Sequence, residues 1–269
     1  MTVHLRSIAL HRWQESGPDI FPFNLPMIRA FSSLEFTAPV TFFVGENGSG
    51  KSTVLEAIAC AVGSITIGSE SVSTDKTLED IRKLAGQLRC TWSKRTRKGF
   101  FLRAEDFFGY EKKQAQLRME LKQDMMDADR ESRGRSALAA ELATLPYRRE
   151  LADMQQRYGE GLEAHSHGEA FLALFQSRFV PGGLYLLDEP EAPLSPIRQM
   201  AMISILREMI EQDAQFIIVT HSPILMAFPR AVIYNFDTVP MQKVNYQDLE
   251  HVRLMRDFLD NPEAYINRL

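Results

Sequence analysis

Residues 45 to 53 of this chain have the types and spacing of a loop that binds a phosphate chain. Glycines let backbone N–H groups turn towards an anion, the lysine can reach the β- and γ-phosphates, and the hydroxyl after it can bind Mg²⁺. We therefore expect Lys51 to contact the phosphates and Ser52 to hold the metal. The predicted nucleotide-binding residues are Gly45, Glu46, Asn47, Gly48, Ser49, Gly50, Lys51, Ser52 and Thr53.

Two adjacent carboxylates, Asp188 and Glu189, follow the apolar run Leu184 to Leu187. A carboxylate at a strand end can bind Mg²⁺ through a coordinated water, while its neighbour can orient and deprotonate an attacking water. We predict the metal role for Asp188 and the catalytic role for Glu189. A solvent-exposed Asp-Glu turn is the alternative, and the phosphate loop elsewhere in the chain makes it the weaker one.

A histidine, His221, follows a third apolar run, Phe216 to Val219. A neutral imidazole there could hydrogen-bond the γ-phosphate and hold the attacking water beside Glu189. A structural histidine within Thr-His-Ser-Pro is the alternative. The position after a buried strand favours the catalytic role.

A strand, the loop and a helix must position these groups. The run Val40 to Val44 predicts a strand, and apolar residues at helical spacing predict a helix that ends near Gly63. Unbroken apolar runs before Asp188 and His221 are typical of strands buried on both faces of a parallel sheet, whose carboxyl ends bind ligands. Between them, Ser195 is a predicted N-cap with Pro196 at the first helical position. An α/β fold with a mostly parallel central sheet follows.

The rest of the chain contains further strands and a helical insertion. From Glu111 to Tyr158, leucines recur at four-residue spacing, with breaks expected at Gly134 and Pro146, so a long coiled coil is excluded. Additional elements are strands over residues 3–10, 34–36, 100–103 and 232–236, an irregular stretch over 18–26 and a helix over 249–259.

The sequence Ser166-His167-Gly168-Glu169 precedes an apolar helical face. Ser-x-x-Glu is a capping box, with Ser166 as N-cap and Glu169 at the third helical position. A helix start with a free hydroxyl and a glycine is also an anion site, so capping and phosphate binding can share one geometry.

Composition narrows the class of protein. A formal net charge of −4 excludes a uniformly basic nucleic-acid binder. The spacing of Cys60 and Cys90 suits neither a metal site nor a disulfide framework, and no apolar stretch reaches the length of a membrane span, so a soluble cytoplasmic chain is expected. A local basic cluster could bind nucleic-acid phosphates, with a solvated hairpin as the alternative: Arg89, Lys94, Arg95, Arg97 and Lys98, with Trp92 among them.

The order of motifs resembles that of the ABC-type ATPases, and in particular small bacterial AAA-family ATPases related to the SMC, double-strand-break-repair and overcoming-lysogeny ATPases. The matching segments are residues 46–53 (Walker A), 187–190 (Walker B), 220–223 (switch histidine) and 165–169 (signature). The resemblance implies a P-loop NTPase fold with an antiparallel β edge. It also implies one domain over residues 1–269, with a helical subdomain inserted at 111–165.

The resemblance further implies ATP hydrolysis by a homodimer that encloses two ATP molecules with Mg²⁺. Lys51, Glu189 and His221 would act in one copy, while Ser166, Gly168 and Glu169 of the other would complete the site. Residues 192–195 would touch the partner, although Ser195 stands where transporters usually carry aspartate. Glu105 or Gln87 would take the place of the transporters' metal-contacting glutamine, and the adenine-stacking residue would be Trp13, Phe21 or Phe23.

The resemblance implies that this cycle drives or gates an effector protein, in DNA repair or in bacterial defence against phage. A transporter's nucleotide-binding subunit and a slow regulatory ATP switch are the alternatives. The altered signature at positions 167 and 169 argues against the transporter. A kinase is least favoured because kinases lack the signature and the switch histidine.

Overall fold

The computed structural model describes residues 3–11, 20–67, 71–132, 136–158 and 167–267. Within these ranges the strands are β1 Leu5–Leu10, β2 Ser33–Glu35, β3 Val40–Val44, β4 Leu88–Trp92, β5 Phe101–Arg103, β6 Leu184–Asp188, β7 Gln215–Val219, β8 Val232–Asn235 and β9 Gln242–Val244. The helices are α1 Pro26–Arg29, α2 Lys51–Val62, α3 Glu79–Ala85, α4 Ala104–Glu131, α5 Ala137–Tyr158, α6 His167–Arg178, α7 Pro196–Glu211, α8 Pro223–Met226, α9 Glu250–Asp260 and α10 Pro262–Ile266. Two 3₁₀ turns, Lys76–Leu78 and Tyr246–Asp248, precede α3 and α9.

The central sheet has six strands in the order β5-β6-β7-β3-β8-β9. The first five are mutually parallel, and only β9 runs antiparallel, against β8. Strands β3, β6 and β7 are buried along their whole length, as their unbroken apolar runs predict. The predicted α/β class with a mostly parallel sheet is confirmed.

A second sheet, three-stranded and antiparallel, has the order β2-β1-β4. It is the predicted antiparallel β edge. The side chain of Gln215, at the start of β7, joins it to the central sheet. The Gln215 Oε1 atom accepts a hydrogen bond from the Leu5 N–H at 2.8 Å, and Nε2 donates to the Leu5 carbonyl at 3.0 Å.

Side chains of the central strands point alternately to the two faces of the sheet, and an apolar core lies on each face. Phe216 and Ile218 of β7 join the core formed with α6 and α7. Ile217 and Val219 join the other core, formed with α2 and the antiparallel sheet. Since side chains of a strand point alternately to opposite faces, a strand in such a sheet is apolar at every position.

Where the structure describes the predicted helical insertion, it contains two helices, α4 and α5, packed against each other. Helix α4 begins at Ala104, seven residues before the predicted start. Phe107 and Tyr110 of its first turns are buried in the core formed with α6 and α7, which extends the helix in this direction. The predicted break at Pro146 is wrong: Pro146 lies inside α5, where packing against α4 keeps the helix continuous. Gly134 and residues 159–166 lie outside the described ranges, and the division into a helical subdomain stays a prediction.

The carboxy-terminal part adds two strands and two helices. The predicted strand over 232–236 is β8, the predicted helix over 249–259 is α9, and β9 lies between them without having been predicted. Of the predicted irregular stretch over 18–26, residues 18 and 19 lie outside the described ranges, and α1 begins at Pro26. In the described part of the chain, no helix is long and apolar enough to cross a bilayer.

Candidate functional site

The predicted phosphate loop leaves β3 at the carboxyl edge of the sheet and ends where α2 begins, at Lys51. Three of its glycines have positive φ: Gly45 at 140°, Gly48 at 82° and Gly50 at 96°. L-residues with side chains rarely adopt this backbone conformation, so the loop needs glycine at these positions. Residue types that suggested phosphate binding are thus also required for the shape of the loop.

Lys51 closes this loop. Its Nζ atom donates hydrogen bonds of 2.7 Å to the carbonyl oxygens of Gly45 and Glu46. Burial lowers the pKa of the Lys51 ammonium, and the negative charges of Glu189 and Asp237 oppose that shift. The ammonium is therefore held at the mouth of the loop by two neutral carbonyls, partners that a phosphate oxygen could replace.

Ser52 and Asp188, the predicted metal-binding pair, come from different elements and meet. The Ser52 hydroxyl donates to Asp188 Oδ1 at 3.1 Å. Asp188 is 9% exposed, and burial raises the pKa of its carboxyl to about 7, against a hydrogen bond from Ser52 that lowers it. A hydroxyl and a nearly buried carboxylate are hard oxygen ligands of the kind that Mg²⁺ prefers, so these residues fit that ion.

Glu189 and His221 also meet. Glu189 Oε1 lies 3.6 Å from His221 Nε2, and the two side chains are 46% and 42% exposed. Glu189 has a φ of 50°, an uncommon value for a residue with a side chain. Backbone strain of this kind clusters at functional sites, and here it falls on the predicted catalytic carboxylate.

Ser49 provides a separate sign that the loop suits a ligand. Its hydroxyl oxygen is buried and has no hydrogen-bond partner among the described residues. Buried polar atoms are nearly always paired, so an unpaired hydroxyl donor in this loop fits an anion-binding site.

Asp237 was missed by the sequence reasoning. Its Oδ1 atom accepts a 2.6 Å hydrogen bond from the Glu46 N–H, and a Cβ added to Gly45 would lie 2.8 Å from the same oxygen. Asp237 follows β8, the strand next to β3, and no motif marks it. Only the order of strands in the sheet shows that it braces the loop.

Glu191 and Arg103 were missed as well. Glu191 accepts a 2.6 Å hydrogen bond from the His221 N–H. Arg103 is paired with Asp188 in the β5–β6 register and forms a 2.6 Å ion pair with Glu56 of α2. An arginine between an apolar strand and a helix gives no signal in the sequence of this largely buried ion pair.

The two residues considered for the metal-contacting glutamine adjoin different sheets. Glu105 follows β5, the strand beside β6, and is exposed in the first turn of α4. Gln87 directly precedes β4 of the antiparallel sheet. The topology favours Glu105, whose metal role stays a prediction.

The signature segment is described only from His167 onwards, and Ser166 lies outside the described ranges. Glu169, on the first turn of α6, forms a 2.8 Å ion pair with Arg198 of α7. Gly168 is buried within its own chain, where an added Cβ would lie 2.8 Å from Arg198 Cδ and 2.9 Å from the Pro193 carbonyl oxygen. Its contact with a second copy stays a prediction.

Of the aromatic residues considered for adenine, Trp13 lies outside the described ranges. Phe23 is wrong as a stacking residue because it is 1% exposed in the core, whereas Phe21 is 43% exposed. A cavity of about 790 Å³ adjoins the phosphate loop, between residues 25–27, the end of β8 and the start of α9. Its size is within the range of small-molecule sites.

The basic cluster lies on β4 and on the segment that leads to β5, and its five charged side chains are exposed. Lys98 donates to the Pro181 carbonyl at 3.3 Å. Binding of nucleic acid by this cluster stays a prediction. Cys60 and Cys90 are free thiols, and burial raises the pKa of Cys60 to about 11.

A family model described as an AAA domain matches residues 23–160, just over half of the chain. The chain belongs to this AAA-domain family. A second AAA-domain model, whose description names the AbiEii toxin of type IV TA systems, matches residues 170–227. The resemblance to AAA-family ATPases drawn from the motifs is confirmed.

Solved structures similar to this AAA-domain protein include ATPase cassettes and SMC heads. An ATP-binding cassette of an ABC transporter shares 15% identity over 100% of both chains, with a TM-score of 0.46. The SMC head domain from Thermotoga maritima shares 16% identity, with 90% of this chain and 99% of that chain covered and a TM-score of 0.41. The Smc head from Pyrococcus furiosus, bound to the C-terminal domain of ScpA, shares 12% identity over 86% and 95%, with a TM-score of 0.40. No curated protein sequence matches the chain.

Proposed function

We propose that this AAA-domain protein binds ATP together with Mg²⁺ and hydrolyses it to ADP and phosphate. The observation that carries the proposal is the 3.1 Å contact between Ser52 and Asp188 beside Lys51. It joins the phosphate loop, which follows β3, to the end of β6, where the acid pair lies, with β7 between the two strands. A glycine-rich turn that binds no ligand would not require a hydrogen bond between Ser52 and a carboxylate at the end of another strand.

The loop would bind the phosphate chain through its backbone N–H groups and through Lys51, which would exchange two carbonyl partners for phosphate oxygens. The Ser49 hydroxyl would gain a partner in the same event. Mg²⁺, held by Ser52 and Asp188, would supply positive charge against the β- and γ-phosphates.

Glu189 would act as the general base. Its half-exposed carboxylate would accept the proton of the water that attacks the γ-phosphate, and the His221 imidazole, 3.6 Å away, would orient that water and the phosphate. Phosphoryl transfer depends on positioning and charge stabilisation, so the chain needs no covalent intermediate.

We further propose that two copies close head to tail around two ATP molecules. Support comes from the sequence of the signature segment and from the start of α6 at His167, since a helix N-terminus attracts anions. The dimer would reopen after hydrolysis and would gate an effector protein in DNA repair or phage defence. A transporter's nucleotide-binding subunit remains the alternative for the same cycle.

Glu189→Gln tests the chemistry. The variant should bind a fluorescent ATP analogue as the wild type does, yet lose at least ~100-fold in turnover because the base is removed. Glu208→Gln, which changes an exposed glutamate of α7, is the matched control and should hydrolyse normally. Normal turnover in Glu189→Gln would refute the assigned base, and normal ATP affinity in Lys51→Ala would refute the assigned loop.

Light scattering of Glu189→Gln with excess ATP tests closure, since trapped nucleotide should accumulate dimer. A monomer under these conditions would contradict the shared site. The wild-type rate per subunit should rise with protein concentration, and stimulation by DNA would support the repair role. If the rate depends neither on protein concentration nor on DNA, the proposed ATP hydrolysis still stands, but the proposed dimer and the proposed role in DNA repair are refuted.

A further inference from the structure

A third carboxylate, Glu191, lies two residues beyond the proposed base and faces the neighbouring strand end. Its Oε1 atom accepts a 2.6 Å hydrogen bond from the backbone N–H of His221. The hydroxyl of Thr220 also donates to this carboxylate. Both donors belong to the segment that follows β7, so Glu191 joins the two loops that carry the proposed catalytic side chains.

Two backbone hydrogen bonds fix the segments on either side of the Glu191 contact. The Glu189 N–H donates to the Val219 carbonyl at 2.9 Å, which aligns the ends of β6 and β7. Past that point, the Glu191 carbonyl accepts from the Leu194 N–H at 2.8 Å, which fixes the turn that presents the Glu191 side chain. The backbone of His221, one residue beyond the buried Thr220, has Glu191 as its side-chain support.

Glu191 occupies an unfavourable place for a carboxylate. Burial raises its pKa, while the hydrogen bonds from Thr220 and His221 lower it. Its second oxygen, Oε2, is buried without a hydrogen-bond partner among the described residues. An apolar residue would avoid this cost, but it could not accept hydrogen bonds from two donors of the opposite loop.

We infer that Glu191 is a positioning residue that fixes the backbone of His221, so that the imidazole faces Glu189. The catalytic consequence rests on the ATPase proposed above, whereas the positioning itself can be measured in the protein without nucleotide. Glu191 does not touch the reacting atoms in this assignment, and its effect passes through His221.

The first experiment measures the His221 amide directly. In protein labelled with ¹⁵N-histidine, the six histidine amides can be observed by NMR, and His221→Asn identifies the relevant signal. Glu191→Ala should shift that signal and speed its hydrogen exchange at least ~10-fold, because a short hydrogen bond to a carboxylate is lost. Glu191→Gln, which keeps an acceptor oxygen, should leave exchange within ~3-fold of the wild type.

Glu208→Ala is the matched control for this measurement, since it removes an exposed glutamate of α7. It should leave the His221 signal unchanged. An unchanged His221 amide in Glu191→Ala would overturn the inference, whether or not the protein hydrolyses ATP.

The second experiment tests whether Glu191 acts through His221. Glu191→Ala should lower kcat by ~10-fold or more and leave KM within ~3-fold, since positioning of the water rather than ATP binding is disturbed. In a His221→Ala background the same substitution should cost nothing further, because coupled residues are non-additive. Glu191→Gln should recover most of kcat.

Two kinetic results would count against the inference. Independent, multiplying losses in the double variant would show that Glu191 acts elsewhere, as would an equal loss in Glu191→Gln and Glu191→Ala. Failure of the ATPase proposal has a different signature, since wild-type protein would then not hydrolyse ATP while the amide measurement would still decide the positioning.

Discussion

Replacement of Asp188 by asparagine should stabilise the nucleotide-free protein at alkaline pH, although it removes a proposed metal ligand. Burial raises the pKa of this carboxyl to about 7 from 3.8. Since each pKa unit corresponds to about 1.4 kcal/mol, the native state disfavours the ionised form by roughly 4 kcal/mol. Asparagine has nearly the same shape and can still accept the hydrogen bond from Ser52.

The sign of the pH dependence follows from proton binding. Below pH 3.8 both the native and the unfolded carboxyl hold a proton, and between 3.8 and about 7 only the native one does. Stability from this group therefore falls as pH rises through that window and stays low above it. Between a pH of about 5.5 and about 8.5, the advantage of Asp188→Asn should grow by about 2 kcal/mol, or roughly 4–8 °C in Tm.

Thermal unfolding followed by circular dichroism, in EDTA at both pH values, measures this difference. Asp124→Asn, an exposed change on α4, is the control and should show no pH-dependent gain. Adding Mg²⁺ with ATP should stabilise the wild type and not Asp188→Asn, because a bound cation favours the ionised carboxyl. A variant that is less stable than the wild type at both pH values would refute the reasoning.

Three further substitutions have outcomes that follow from specific contacts. Gly45→Ala should cost about 1–3 kcal/mol in urea unfolding and weaken nucleotide binding, because φ is 140° and the new Cβ would lie 2.8 Å from Asp237 Oδ1. Gly99→Ala should cost about 4 kcal/mol or more, since its Cβ would lie 1.8 Å from the Leu184 carbonyl oxygen, whereas Gly109→Ala, with open space around it, should be harmless. Arg103→Leu should cost about 1–3 kcal/mol by leaving the Glu56 carboxylate, whose side chain is only 16% exposed, without its ion-pair partner, and adding Glu56→Leu should recover much of that loss in the same unfolding assay.

Local patterns in the sequence were enough to predict the positions of the central strands and of the phosphate loop. The Val40–Val44 and Leu184–Leu187 runs match β3 and β6 because strands buried on both faces are apolar at every position. The glycines of the phosphate loop are equally informative in the sequence, because their positive φ angles exclude most other residue types. Helix α4 was the opposite case: its early start depends on Phe107 docking in a distant core, which no local spacing reports.

The meeting of Ser52 with Asp188 could be expected from residue type and strand ends alone, because parallel strands deliver their carboxyl ends to one edge. The order of strands along that edge could not be deduced from the sequence. It places Asp237 beside Gly45, Arg103 beside Asp188, and Glu191 against His221.

Sequence by itself therefore determined the residue types that are proposed to hold phosphate and metal, since the positive φ angles of the loop tolerate few residues other than glycine. The tertiary structure decided which other charged residues, outside the recognised motifs, contact the phosphate loop and the predicted catalytic residues. Asp, Arg and Glu occur throughout this chain, and only contacts between segments far apart in sequence select the few that contact the site.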